Sequence, residues 1–198
     1  AGTKCGKGFE EQVISGVDTC IACAPGYYNT DAAESCKLCP AGYLCYGEPS
    51  TASPANSVGG TNTATPLDKD VDYGEICPKG HYCPEGSYVA SACPVGKYNA
   101  FVGMKSEDDC LVCPIDHYND LTGQEGCQPC GEFAYSLTGA TTCTCYGNFR
   151  TFGKSDSSCR CLPRFVYRKE DGTIERNNVS KEDCIPLTYD RCDTNTQG

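Results

Sequence analysis

The sequence predicts a small disulfide-rich fold: an elongated tandem array of cysteine-stapled modules with short β-ribbons and little helix. Three observations predict it. Of 198 residues, 19 are Cys and none is Trp, a load that marks disulfide scaffolds. One cysteine-led phrase recurs along most of the chain, the signature of a repeat architecture. Apolar residues reach only 39% even with Cys counted among them. That is too few for a conventional core at this length, so cross-links are expected to replace it.

The phrase is Cys, two residues, a turn residue, then an aromatic. It stands as CGKGF at 5, CAPGYY at 23, CPAGYL at 39, CPKGHY at 77, CPEGSY at 83, CPVGKY at 93 and CPIDHY at 113. Weaker copies are CGEFAY at 130, CYGNF at 145 and CLPRF at 161. The residue three after Cys is Gly8, Gly26, Gly42, Gly80, Gly86 and Gly96, then Asp116 and Asn148. These types tolerate positive φ, so a tight left-handed turn is expected there. Phe133 and Arg164 break the pattern and are expected to turn differently. The Pro that often follows Cys is expected to pre-set φ for the turn. The aromatics (Phe9, Tyr28, Tyr82, Tyr88, Tyr98, Tyr118, Tyr135, Phe149) are each expected to cover a neighbouring disulfide as a one-residue core.

Cysteine spacing is regular. Cys20/Cys23, Cys36/Cys39, Cys110/Cys113 and Cys127/Cys130 are C-x2-C pairs, and Cys143/Cys145 and Cys159/Cys161 are C-x-C pairs. The repeat is roughly 16 to 17 residues, too short to fold alone, so stacked units must share stability with their neighbours. No apolar face of period 3.6 is long enough for a helix. The best hairpin candidate is 165–176, FVYRKEDGTIER, with Asp171-Gly172 as its turn. Four segments result: a cysteine-rich module over 1–45, a Ser/Thr/Pro-rich and acidic linker over 46–76, tandem repeats over 77–161, and a terminal module or tail over 162–198. Within the linker, residues 49–66 have the composition of a flexible or O-glycosylated stretch.

The phrase C-x2-C-P-x-G-x-Y-x-n-C-x2-C resembles the ephrin-receptor-like cysteine-rich repeat, and residues 110–159 resemble the EGF-like cysteine-rich part of an Eph receptor ectodomain. The resemblance covers about residues 5–161 and identifies the module, not a parent protein. Nothing resembles an ephrin-binding domain or a kinase, so receptor signalling does not follow. The resemblance implies interlaced pairing: Cys5–Cys23, Cys20–Cys36, Cys39–Cys45, Cys77–Cys93, Cys83–Cys110, Cys113–Cys130, Cys127–Cys143 and Cys145–Cys159. One further pair falls among Cys161, Cys184 and Cys192, leaving one Cys over. A rival scheme closes each simple loop, as in Cys113–Cys127, and resembles the first loops of tumour-necrosis-factor-receptor modules. Sequence alone leaves both open.

Other chemistry has little to stand on. Zinc or iron–sulfur ligation by C-x2-C pairs is set against a Pro-x-Gly-x-Tyr phrase that recurs too often, and against the many metals such thiolates would need. A redox thiolate requires a helix N-terminus that the pattern lacks. His81 and His117 occupy the variable slot before the repeat Tyr, where other copies carry Ser87 or Lys97, so they read as repeat surface rather than general bases. Asp68, Asp70 and Asp72 alternate as in an EF-hand loop, but Tyr73 fills the Gly position and Lys79 the bidentate Glu position, leaving an exposed acidic loop. No metal, cofactor or catalytic site is expected. Asn178-Val179-Ser180 is an N-glycosylation acceptor.

The cysteine load places the chain outside the cell or on its surface. A net charge of −10 argues against nucleic acid and anionic membranes as partners. No apolar run approaches the ~18 residues of a span. The opening Ala-Gly-Thr-Lys suits signal-peptide cleavage, and any membrane anchor is expected outside this segment. The expected role is a non-enzymatic structural or interaction scaffold whose partners are other extracellular proteins or copies of itself. Alternatives are a ligand-binding or adhesion ectodomain of a receptor, or a subunit of an extracellular filament or coat. In the latter the odd Cys would form an intermolecular disulfide.

Overall fold

The computed structural model describes residues 5, 8–29, 35–46, 74–175 and 180–187. The stretch 49–66, Asp68, Asp70, Asp72, Asn178 and Cys192 lie outside the described residues. Among the described residues the chain is a disulfide-rich array of nine hairpin modules, one disulfide to each. Among the described residues the one helical turn is a 3-10 turn at Glu107–Asp109. The chain forms two compact units, Ala1–Val112 with Leu121–Gly126, and Cys113–Asp120 with Cys127–Gly198.

All ribbons are antiparallel. In chain order, β1 (Phe9–Ile14) pairs with β2 (Val17–Ala22), β3 (Tyr27–Tyr28) with β4 (Lys37–Leu38), and β5 (Tyr43–Cys45) with β6 (Gly74–Ile76). Next, β7 (His81–Tyr82) pairs with β8 (Ser91–Ala92), β9 (Lys97–Tyr98) with β10 (Leu111–Val112), and β11 (His117–Tyr118) with β12 (Gln128–Pro129). Then β13 (Ala134–Tyr135) pairs with β14 (Thr144–Cys145) and β15 (Arg150–Gly153) with β16 (Ser158–Cys161). The last sheet has three strands, with β17 (Phe165–Arg168) between β18 (Ile174–Glu175) and β19 (Ile185–Pro186). Gly74–Ile76, the end of the stretch read as a linker, is thus the return strand of module 3.

Five hairpins begin with the repeated turn in one form. In Ala24–Tyr27, Pro40–Tyr43, Pro78–His81, Pro94–Lys97 and Pro114–His117 the fourth N–H donates to the first carbonyl at 2.9–3.3 Å. The third residue (Gly26, Gly42, Gly80, Gly96, Asp116) has positive φ, the type II pattern. The Pro after Cys is therefore the first turn residue in most copies, and it does not pre-set the second residue's φ as expected. Arg164 takes the left-handed conformation despite its side chain, φ 70°, at a cost of roughly 1–2 kcal/mol that the surrounding module must offset. In the copy at 145, Gly147 and Phe149 carry the positive φ, not Asn148. Phe133 does turn differently, with Gly131 left-handed instead.

The disulfides correct the interlaced scheme. The structure joins Cys5–Cys20, Cys23–Cys36, Cys39–Cys45, Cys77–Cys83, Cys93–Cys110, Cys113–Cys127, Cys130–Cys143, Cys145–Cys159 and Cys161–Cys184. Cys5–Cys23, Cys20–Cys36, Cys77–Cys93, Cys83–Cys110, Cys113–Cys130 and Cys127–Cys143 are not formed. The reason lies in the hairpin. In seven modules the ribbon returns a closing cysteine opposite the opening cysteine of its own module, and in modules 3 and 4 the closing Cys45 and Cys83 stand at the end of the first strand or just after it. All nine pairs lie at Cα–Cα 5.5 to 5.8 Å, inside the window for a bond.

These bridges are the core. Of the buried apolar residues among those described, all but Phe9, Leu44, Tyr118, Ala134 and Val166 are cysteines. The repeat aromatics serve this core unevenly. Phe9 and Tyr118 are buried, while Tyr28, Tyr82 and Tyr98 are half-buried. Tyr88, Tyr135 and Phe149 are exposed, against the expectation of a one-residue core. In the second unit aromatics meet one another instead: Tyr118 is edge-on to Phe152 at 5.3 Å, Tyr135 lies 5.0 Å from Tyr146, and Phe149 stacks on Phe165 at 4.3 Å.

Two hairpins stand apart. The expected hairpin forms between Phe165–Arg168 and Ile174–Glu175, but its turn is Lys169–Gly172, closed by Gly172 N–H to Lys169 carbonyl at 2.9 Å. Only Gly172 is left-handed, so this is a type I turn with a bulge rather than a two-residue Asp-Gly turn. The longest ribbon, β1–β2, was not anticipated. Ser15 and Gly16 join it with φ 54° and 82°, the type I′ geometry favoured between twisted strands.

Candidate functional site in the module joints

The chemistry-bearing feature of this chain is the joint between modules, and it is built from a few repeated positions. The residue three after each turn residue forms a slot: Asn29, Cys45, Cys83, Asn99, Asn119 and Ser136. Each is buried. The turn amide of one module donates to the slot carbonyl of the next: Gly8 to Asn29, Gly26 to Cys45, Gly42 to Cys83, Gly80 to Asn99 and Asp116 to Ser136, at 2.8–3.1 Å. The turn carbonyl in turn accepts from the next opening cysteine, as in Cys39 to Gly26, Cys77 to Gly42, Cys93 to Gly80 and Cys130 to Asp116.

Slot side chains add a second tie. Asn29 Nδ2 donates to Phe9 carbonyl at 2.9 Å, Asn99 Nδ2 to His81 carbonyl at 2.9 Å, and Ser136 Oγ to His117 carbonyl at 2.7 Å. Buried polar groups of this kind hold register because leaving either partner unpaired is costly. In modules 3 and 4 the slot is Cys45 or Cys83, and it closes the short Cys39–Cys45 and Cys77–Cys83 loops. In these two modules the bridge therefore does not span the distal part of the hairpin.

A second glycine completes the joint. The N–H groups of Gly86, Gly103, Gly123 and Gly139 donate to the opening-cysteine carbonyls of the preceding module, Cys39, Cys77, Cys93 and Cys113, at 2.8–2.9 Å. The residues just after them, Ser87, Met104, Gln124 and Ala140, accept from slot amides Cys45, Cys83, Asn99 and Asn119. In the first unit each loop also presses its carbonyl on a turn glycine two modules back. A Cβ on Gly26 would lie 2.4 Å from Gly86 O, on Gly42 2.6 Å from Gly103 O, and on Gly80 2.1 Å from Gly123 O. Sequence reasoning explained the turn glycines by φ alone. It missed this close approach, the slot and the second glycine, although Tyr-Asn at 28, 98 and 118 and Thr-Gly at 122 and 138 repeat visibly.

The same loops offer a surface. Two residues before the second glycine stand Phe101, Leu121 and Leu137, with 61%, 57% and 76% of their area exposed. Large apolar side chains held out at one repeat position are candidate contact residues. The exposed ion pairs Lys79–Glu125, Lys97–Glu107 and Lys154–Asp120 are each worth little to stability. Asp109 Oδ2 accepts from Lys105 and Ser106 N–H at 2.8 and 2.9 Å, which holds its carboxyl below the usual range. Asp183 is held low in the same way, first by the Asn148 side chain and then by the Asn148 amide. Burial and then Glu75 push the Tyr46 phenol up to about 12. His81 and His117 are half-buried, each ring nitrogen near a carbonyl two residues back, Lys79 and Ile115. Among the described residues no group of three His, Cys, Asp or Glu is placed to hold a metal ion, and no helix is long and apolar enough to cross a membrane.

No protein-family model matches the chain. It is similar to cysteine repeat modular protein A of Toxoplasma gondii, with 28% identity over 240 aligned positions covering 95% of this chain and 8% of that protein. It is also similar to the sushi, von Willebrand factor type A, EGF and pentraxin domain-containing protein 1 of Rattus norvegicus and of Mus musculus. Those two are 28% identical over 169 positions, 71% of this chain and 4% of theirs. The chain thus spans less than a tenth of these relatives. Their names describe cysteine-repeat and EGF-containing modular proteins, which fits a cysteine-rich modular chain.

Proposed function

We propose that this chain is a segment of an extracellular scaffold, non-enzymatic, whose stacked modules present contact loops to other extracellular proteins. The observation that supports it most is the one-bridge-per-module plan, in which nine disulfides provide nearly all of the core. Such bridges persist only in an oxidising compartment. The modular names of the similar proteins fit this reading. The exposed Phe101, Leu121 and Leu137 are its contact residues, and Asn178 is its N-glycan site. The test is antibody labelling of intact and permeabilised cells that make the parent protein, with thiol alkylation before lysis. The reading expects labelling of intact cells and blocked thiols. Labelling only after permeabilisation, with free thiols, overturns it.

A second reading, a subunit of a covalently linked filament or coat, is favoured by one observation. The nine bridges pair all the described cysteines with one another, and this reading assigns the remaining one of the 19, Cys192, to a partner chain. On a non-reducing gel of the secreted protein, this reading expects a high-mass species that Cys192→Ser abolishes. A ladder unchanged by that substitution counts against it.

A further inference from the structure

Residues 47–73 separate the two strands of module 3 in sequence, β5 from β6, yet the two sides of this gap are joined by the same contacts that join modules directly linked in sequence. We propose that residues 5–46 and the modules from 74 onward meet in a self-sufficient non-covalent interface, so the protein persists as a two-chain complex after the chain between them is cut.

Four sets of contacts carry the inference. First, β5 and β6 pair in register across the gap, Tyr43 with Ile76, Leu44 with Glu75 and Cys45 with Gly74, and the Tyr46 hydroxyl donates to Glu75 just beyond. Second, four backbone bonds cross outside the ladder. Gly42 N–H reaches Cys83 O, Cys77 N–H reaches Gly42 O, Cys45 N–H reaches Ser87 O and Gly86 N–H reaches Cys39 O, at 2.8 to 3.0 Å. Third, Leu44 is buried in one cluster with Cys77 and Cys83, so a side chain from one side seals the bridge of the other. Fourth, the loops of modules 4 and 5 reach back across the gap onto Gly26 and Gly42, at distances that leave no room for a Cβ.

No disulfide among the described cysteines crosses this joint, because Cys39–Cys45 and Cys77–Cys83 each close on their own side. The slot cysteines explain how the interruption is tolerated. With the bridge closed at the base of the hairpin, the length of chain beyond Cys45 places no demand on the module. Loop length by itself adds closure entropy only slowly.

The experiment uses the full chain with a specific protease site placed within 47–73, folded first and then cut. Cut protein is run on native non-reducing size exclusion and on a denaturing non-reducing gel. The proposal expects one co-eluting peak and two bands. Two separate native peaks overturn it, and a single denaturing band would mean that a disulfide crosses the joint, which also overturns it. Two variants locate the cause. Gly26→Ala drives a Cβ into Gly86 O, and Leu44→Ala unseals the Cys77–Cys83 bridge. Each is checked for nine bridges before cutting. Cut Gly26→Ala or Leu44→Ala is expected to separate at least tenfold more readily on dilution than cut wild type. If neither variant does, the interface is not the one described.

Discussion

Gly80→Ala tests the joint where its geometry is tightest. Gly80 has φ +73°, and an added Cβ would lie 2.1 Å from Gly123 O and 2.6 Å from Gly123 C. Two costs follow. An L-residue in the left-handed region costs roughly 1–2 kcal/mol. The clash falls on backbone at both ends, so no side-chain rotation relieves it. Ordinary contact begins near 3.4 Å, so the loop must withdraw by more than an ångström. That takes Gly123 N–H from Cys93 O, now 2.9 Å, and Asn99 N–H from Gln124 O, now 3.0 Å, beyond bonding distance. Each bond is worth about 0.5–1.5 kcal/mol net, which brings the total to about 2–5 kcal/mol. Gly139→Ala is the control. Gly139 has φ +71° with nothing within 4 Å of its Cβ position, so only the conformational cost applies. The assay is native-state amide hydrogen exchange with all bridges intact. Because stability in repeat arrays is local, it reads the joint directly. Gly80→Ala is expected to speed exchange at Asn99 and Gly123 roughly thirty-fold, the equivalent of about 2 kcal/mol, while Gly139→Ala leaves both unchanged. Equal behaviour of the two variants would refute the close-approach argument.

Two further outcomes follow from the same geometry. Asn99→Ala leaves His81 carbonyl and Phe101 N–H without their partners at 2.9 and 3.0 Å in a buried site. It should cost about 2–4 kcal/mol, and denaturant unfolding of the oxidised protein measures it. Tyr46 has its folded pKa raised to about 12 from 10, so the fold favours its neutral form. That preference is fully present below pH 10 and is lost as pH rises through 12. Stability is therefore expected to fall across that window, and Tyr46→Phe to flatten the fall. A fall of the same steepness in Tyr46→Phe would place the sensitive group elsewhere.

The repeat, its punctuation and the short ribbons were legible because they rest on local chemistry. A cysteine, a left-handed residue and an aromatic at fixed offsets can be read without knowing what lies opposite. The joints were not legible, because they couple residues one and two modules apart. Nothing local tells that Gly26 faces Gly86, or that Cys45 and Cys83 fill the position Asn occupies in other modules. Pairing failed for a related reason. In a C-x2-C pair the two cysteines sit three residues apart, so spacing fits both the interlaced and the simple-loop scheme, and the resemblance implied the wrong one. Arg164 shows tertiary structure overriding preference, since Leu187 N–H bonds to its carbonyl at 2.8 Å and helps fix the turn.

The central claim is that each module is closed by its own bridge. Non-reducing peptide mapping by mass spectrometry, with free thiols alkylated first, tests it most directly. The account predicts nine simple-loop pairs, from Cys5–Cys20 to Cys161–Cys184, with only Cys192 outside them. Peptides joined as Cys5–Cys23, Cys113–Cys130 or Cys127–Cys143 would contradict it and restore the interlaced module.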